Sequence, residues 1–353
     1  MADAAHHLTD RRIVEIDIAK AIGILLVFIG HRKFGTSVGN YIYLFHMPLF
    51  FILSGVFVRE ELLNFSEILF KDIQLLATYI VYSIIFVFYS LVPHFSLKTL
   101  AAGILQTVTF WGIDILWFLA SLLLSKMILR FLFRIKKISL QCGIVIFLYV
   151  SGFFLSKLLV SLKYELITQM LFRYISWACI RPLVILVFLY IGFVLKGYIL
   201  DFISTLRNRR LLAVLIALAC AFALLPFVSC EAVDYHLLKN GVFVFDIFYG
   251  VTGTVLVLCI SALIGSISSL FCKLLRFVGK NSVHFMASEY FGLSVYVVAA
   301  IRRLPVHIPY SNYVGFVIYF IILTVSVKIF CPYIDRAIFA LSNEIHKLKQ
   351  IKI

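Results

Sequence analysis

The stretch Asp17-Ile-Ala-Lys20-Ala-Ile-Gly-Ile-Leu-Leu-Val-Phe-Ile-Gly-His31 sets an acid, a base and an imidazole into an otherwise apolar run. Ionisable groups within a membrane segment are costly, so they face a cavity or a partner and mark function by default. Lys20 and His31 are eleven residues apart, which on a helix is about three turns and roughly 16 Å along nearly one face. A cation and an imidazole so placed suit a long ligand with an anionic head. The cation would hold the head, and the imidazole, which titrates near neutral pH, would move a proton at the far end. A structural alternative stands beside this one. Asp17 and Lys20, three residues apart, would neutralise each other, and His31 would sit at the membrane surface.

The next segment, Tyr41-Ile-Tyr-Leu-Phe-His46-Met-Pro48-Leu-Phe-Phe-Ile-Leu-Ser54-Gly55, adds a second imidazole. Pro48 predicts a bend that frees a backbone carbonyl. Ser54-Gly55 permits close helix packing. Taken alone, this segment reads as a kinked aromatic helix. A site that builds negative charge on an oxygen would need hydrogen-bond donors for it. Backbone N–H groups near Pro48, the indole N–H of Trp117 and the hydroxyl of Ser54 are candidates.

Composition decides what must position these groups. The 353 residues are 63% hydrophobic and only 14% charged, with a mean hydropathy of +1.06. A soluble domain is about half apolar and a quarter charged, so an integral membrane protein is expected. The net charge of +15 reads as loop Lys and Arg that set topology, not as a nucleic-acid footprint. The seven cysteines form no CxxC or metal-type spacing, so neither a disulfide framework nor a metal is expected. Asp17 and Lys20 interrupt the first apolar run and no small-residue cleavage site follows, which argues against a cleaved leader.

Apolar runs near the ~20 residues that cross a bilayer recur at 13–31, 41–58, 73–92, 113–133, 142–162, 181–198, 211–230, 242–270, 283–301 and 313–333. The expected fold is therefore all-α, a single domain over 1–333 with about ten transmembrane helices, followed by a basic tail at 334–353. Segments 97–111 and 164–180 read as amphipathic or re-entrant pieces. The clusters Arg11-Arg12, Arg130 to Lys137, Arg207 to Arg210, Lys273 to Lys280 and Lys347 to Lys352 fall on one face under this count. Both termini are then expected to be cytoplasmic.

Residues 17–55 resemble the opening of the acyltransferase-3 family, and more narrowly its fucose 4-O-acetylase-like branch. The resemblance rests on Asp-Ile-Ala-Lys-(ten residues)-His followed by Phe-His-Met-Pro-Leu-Phe-Phe-Ile-Leu-Ser-Gly. Leu116-Trp117-Phe118-Leu119 is similar to the family's Trp-Phe-Leu segment, and Gly279-Lys280-Asn281-Ser282 to its Gly-x-Asn-Ser turn. The resemblance implies a multi-pass enzyme of the bacterial inner membrane. It implies that acetyl passes from acetyl-CoA, the co-substrate, to a hydroxyl of a polysaccharide or lipid-linked sugar, without a metal. The family's Arg-(ten residues)-His motif maps onto Lys20 and His31. His31 then becomes general base or transient acyl carrier. Lys20 becomes the donor-side cation, with Asp17 as its partner and Lys71 as a further donor-side cation.

Departures from the family pattern are also informative. Lys for Arg keeps the charge but loses bidentate phosphate geometry. Lys71-Asp72-Ile-Gln74 replaces an Arg-rich loop, Ala120 replaces a proline, and Glu289 stands where many members carry a His. Glu289 is expected to orient or pair with His31. His46, Ser54, Asp114, Trp117, Asn281 and Ser282 are expected to support the acceptor pocket, with Arg173, Arg181 and Asp246 as further polar groups near it. His284 reads as a helix-start residue. Membrane lipids are the expected surroundings, and no nucleic acid is expected. A non-catalytic exporter of lipid-linked sugars is the alternative, since it too would need pore-lining charges.

Overall fold

A computed structural model describes residues 13–31, 36–91, 96–161, 167–227, 233–239, 243–267, 269–290 and 313–351. Among these residues the regular structure is helical, with no strand. The helices are α1 (Val14–His31), α2 (Thr36–Tyr43), α3 (His46–Val56), α4 (Phe65–Lys71), α5 (Ile73–Leu91), α6 (Leu97–Val108) and α7 (Trp117–Leu132). They continue as α8 (Ile138–Ser161), α9 (Ile167–Val194), α10 (Lys196–Asn208), α11 (Arg210–Leu224), α12 (Phe243–Gly265), α13 (Leu270–Lys280), α14 (Ser282–Tyr290) and α15 (Tyr313–Ile351).

Seven segments among the described residues are long and apolar enough to cross a membrane: Ser37–Val56, Ile73–Leu91, Asp114–Leu132, Ile138–Ser161, Met170–Val194, Phe245–Gly265 and Phe316–Lys347. The protein is a multi-pass membrane protein. Three further expected spans fare differently. Helix α1 has 18 residues but carries Glu15, Asp17 and Lys20. Helix α11 has 15 residues. The span expected over 283–301 is described only as far as Tyr290.

Helix α8 shows how lipid reverses the usual pattern. Its exposed residues include Phe147, Phe154, Leu155 and Leu158. Its buried face carries Gln141, Gly152 and Ser156. In a lipid solvent there is no penalty for outward apolar groups, and small or polar residues go to helix contacts.

Three local expectations change. Pro48 does not kink a continuous helix. The chain breaks after Tyr43, and α3 begins at His46, so Pro48 lies in a first turn whose N–H groups have no intrahelical acceptor. Of the separate piece expected at 164–180, residues 167–180 belong to α9, a 28-residue helix with Pro182 inside it, and the rest lie outside the described residues. The basic tail is also continuous with the last span. Helix α15 runs 39 residues, about 58 Å at 1.5 Å per residue, which exceeds a hydrocarbon core of about 30 Å.

The chain divides into two compact units. The first comprises residues to Arg59 and Val187–Ser282, and the second Glu60–Leu186 and Val283–Ile353. In the first unit, glycines let backbones touch. A Cβ at Gly55 would lie 2.1 Å from the Leu189 carbonyl oxygen, and one at Gly192 would lie 2.0 Å from that of Ile52. Helices α3 and α9 therefore meet backbone to backbone. A Cβ at Gly23 would reach within 2.7 Å of the Phe50 ring, and one at Gly253 within 2.0 Å of the ring of Phe45, the residue before α3. These contacts pack α1 and α12 against α3. In the second unit, Tyr79, Tyr82, Phe86 and Tyr149 form part of a buried aromatic interior.

Candidate active site

Helix α1 is unbroken from Val14 to His31, so the eleven-residue offset of Lys20 and His31 is a real separation of roughly 16 Å. Lys20 is half-buried, and its ammonium lies 5.1 Å from the centre of the Phe57 ring. His31 ends the helix and is exposed. Its ring centre is 6.5 Å from that of Tyr43, and Tyr43 meets His46 edge-on at 4.9 Å. The break between α2 and α3 thus brings the two sequence-predicted imidazoles into one aromatic row.

His46 is 4% exposed, and its Nδ1 lies 3.0 Å from the Ile42 carbonyl oxygen. A carbonyl can only accept, so Nδ1 carries the proton and donates. In the neutral ring Nε2 then keeps a lone pair. His46 is therefore held as an acceptor at Nε2, two ring contacts from His31.

The opening motif and the late Gly-Lys-Asn-Ser turn meet. A Cβ at Gly279 would lie 1.7 Å from the Asp17 carbonyl oxygen, so α13 packs its backbone onto α1 one turn before Lys20. Asn281 caps α13: its Nδ2 donates to the Phe277 carbonyl at 2.9 Å. Ser282 opens α14. Asp17 is buried, and Ser54 is half-buried on α3. An apolar cavity of about 360 Å³ in this unit is lined by residues such as Ile52, Ile191, Phe202 and Leu258. No ionisable side chain of the site reaches it.

Sequence reasoning missed Glu15. It is 2% exposed, and its Oε1 accepts from Arg207 Nε at 2.7 Å and from Nη2 at 2.6 Å. The available signal was a third ionisable group at the start of α1. In the sequence Arg207 reads only as a topology signal.

Apart from Asp246, which belongs to the first unit, the other sequence-predicted residues lie in the second unit. The loop before Trp117 is strained. Phe110, Gly112 and Asp114 have φ of +57°, +78° and +45°, and such backbone clusters at functional sites. Gly112 is required there, because a Cβ would lie 2.3 Å from the Trp117 nitrogen. The loop gathers all three tryptophans of the chain around Arg181, which is fully buried. Its guanidinium lies 4.5 Å from the Trp111 ring centre and 5.6 Å from those of Trp117 and Trp177. Arg181 Nη1 also donates to the Trp111 carbonyl at 2.7 Å. Arg173 stacks 4.5 Å over Trp177. Residues 173, 177 and 181 recur every four positions, so one face of α9 presents Arg, Trp and Arg. The buried Trp177 Nε1 has no hydrogen-bond partner among the described residues.

Lys71 pairs with Glu61. Its neighbour Asp72 is gripped by Arg130 and by Lys126 at 3.3 Å. Burial pushes the Asp72 carboxyl up, but the Arg130 hydrogen bond and the charges of Lys126 and Arg130 outweigh it and hold the carboxyl below its ordinary value. Glu289 lies on α14, in the unit that does not contain His31. Asp246, in the first turn of α12, is fully buried.

The profile of the acyltransferase-3 family, described as an acyltransferase domain, matches residues 13–336. No curated protein and no solved structure matches the chain significantly. The match takes in both units, the Lys20–His31 helix and the Gly279–Ser282 turn packed on it. The chain belongs to the acyltransferase-3 family and is a multi-pass membrane acyltransferase.

Proposed function

We propose that the protein moves acetyl from acetyl-CoA to a hydroxyl of a cell-surface polysaccharide or lipid-linked sugar. It would do so in the inner membrane of a bacterial cell with both termini cytoplasmic. The observation that carries this reading is the unbroken α1 with a half-buried cation at Lys20 and an imidazole three turns on at His31. Lys20 meets the phosphates of the donor. The thin pantetheine arm spans the interval, which places the thioester near His31. His31 takes the proton of the acceptor hydroxyl as its oxygen attacks the thioester carbon. The C–O bond forms, the C–S bond breaks, and the proton passes to the departing thiolate, releasing free CoA. The half-buried Arg173 of α9 supports an anionic sugar or lipid phosphate as acceptor, since guanidinium groups hold anionic substituents. Asp114 serves the acceptor side in this reading, and the branch the motifs resemble is the fucose 4-O-acetylase-like one.

The test is His31→Ala and His31→Gln in purified protein and in cells. Loss of a general base lowers transfer by about 10²–10⁴-fold, with the protein still inserted in the membrane. Mass spectrometry of the surface glycan should lose the acetyl increment. Undiminished transfer in both variants, or no turnover of acetyl-CoA by the wild type, overturns the reading.

A further inference from the structure

In the second unit, three different ligand-type side chains converge. His284 on α14 meets Cys331 and Asp335 on α15, with one donor atom from each within 4.8 Å of the others. His284 Nε2 is 3.1 Å from Asp335 Oδ1, and Cys331 Sγ is 3.5 Å from Asp335 Oδ2. His284 Nε2 and Cys331 Sγ thus approach the two oxygens of one carboxylate, at separations comparable with the edges of a tetrahedral site. Bond lengths near 2.3 Å to sulfur and 2.0 Å to nitrogen or oxygen give tetrahedral edges of about 3.5 Å for S–O and about 3.3 Å for N–O.

We propose that His284, Cys331 and Asp335 bind a zinc-class divalent ion, with a fourth position left to water. Four features support it. Cys331 and Asp335 are four residues apart on α15, so one helix face offers both, as paired ligands at this spacing do in zinc-binding helices. Tyr82 Oη lies 2.5 Å from His284 Nδ1. With Nδ1–H donating to this hydroxyl, the Nε2 lone pair faces the cluster, which is the outer-shell arrangement that orients ligating histidines. Charge also balances. Cys331 gives up its thiol proton to solvent on binding, and the thiolate and carboxylate together offset the dication, so a largely buried site carries no net charge. Finally, His284 and Cys331 are mostly buried while the Asp335 side chain is 59% exposed, which gives the ion a path from water. His284 stands 47 positions before Cys331, which is why no cysteine spacing revealed the set.

The experiment is titration of the full-length, detergent-solubilised wild type with cobalt(II), followed by displacement with zinc. The expected result is one equivalent bound, with tetrahedral d–d bands and a thiolate-to-cobalt charge-transfer band. Cys331→Ser, which is nearly isosteric, abolishes the charge-transfer band. Asp335→Asn weakens binding, and Tyr82→Phe, which removes the hydroxyl at His284 Nδ1, weakens it about 10–100-fold. Zinc should also raise the unfolding temperature of the wild type but not of Cys331→Ser. A wild type that binds no cobalt, or a charge-transfer band that survives in Cys331→Ser, overturns the proposal. The metal readouts are separate from acyl transfer, so either proposal can fail without the other.

Discussion

Gly279→Ala tests the contact that joins the two motifs. The added Cβ would sit 1.7 Å from the Asp17 carbonyl oxygen and 2.5 Å from its carbon. Ordinary contact starts at 3.4 Å, so the two backbones must part by roughly 1.7 Å at this point to relieve the overlap. Neither is the tip of a flexible side chain, so the strain falls on whole helices. Overpacking of this kind costs about 1–3 kcal/mol, and the upper end applies here. Lys20 is one turn beyond Asp17, so the donor-side cation moves with the backbone. A misplacement near 1 Å can cost about 10²-fold in rate. The control is Gly143→Ala on α8, where an added Cβ meets nothing within 4 Å and removal of glycine from a helix should stabilise by about 0.5–1 kcal/mol. Thermal unfolding in detergent and acyl-CoA turnover are measured on both variants. Gly279→Ala should unfold at lower temperature and turn over slowly, while Gly143→Ala matches or exceeds the wild type. If the two variants behave alike, the backbone contact does not hold α13 on α1.

Lys20→Met keeps the length of the side chain and removes the charge; KM for acetyl-CoA should rise about tenfold, equivalent to about 1.4 kcal/mol, with kcat largely kept, and an unchanged KM would remove Lys20 from the donor site. Arg130→Met leaves Asp72 buried with Lys126 alone, and breaking such a pair costs about 3–5 kcal/mol, read as a fall in unfolding temperature at neutral pH. The Asp72 carboxyl is held below its ordinary value, so its stabilising contribution is complete above the unfolded value of about 3.9 and is lost as pH falls through the lower folded value. The wild-type unfolding temperature should therefore keep this contribution down to about pH 4 and lose it only in stronger acid, and a pair that weakens well above that pH would contradict the assignment. Arg181→Lys loses the planar stack on the tryptophans and the fixed bond to the Trp111 carbonyl, a cost of about 2–3 kcal/mol; equal stability of the lysine variant would show that charge alone suffices.

The lipid-spanning character was legible because hydropathy is a property of composition, and membrane helices satisfy their own backbone hydrogen bonds. Lys20 and His31 were legible as a pair because a single helix fixes their spacing. Helix joints were less so. Pro48 predicted a kink, but the same residue starts a helix equally well, and only packing chose between the two. Likewise 164–180 and the basic tail look separable by polarity, yet the described residues of each, 167–180 and 334–351, continue a neighbouring helix.

The sequence by itself determined the membrane class, the family-bearing motifs and the positions along α1 where a cation and an imidazole stand. Those follow from local periodicity and from the cost of charge in lipid. Only the tertiary structure decided the partners. Asp17 meets Gly279, Glu15 takes Arg207, three tryptophans close on Arg181, and His284 meets Cys331 and Asp335. The physical reason is range: helical spacing acts over a few residues, whereas these contacts join positions tens to hundreds apart that only helix packing brings together.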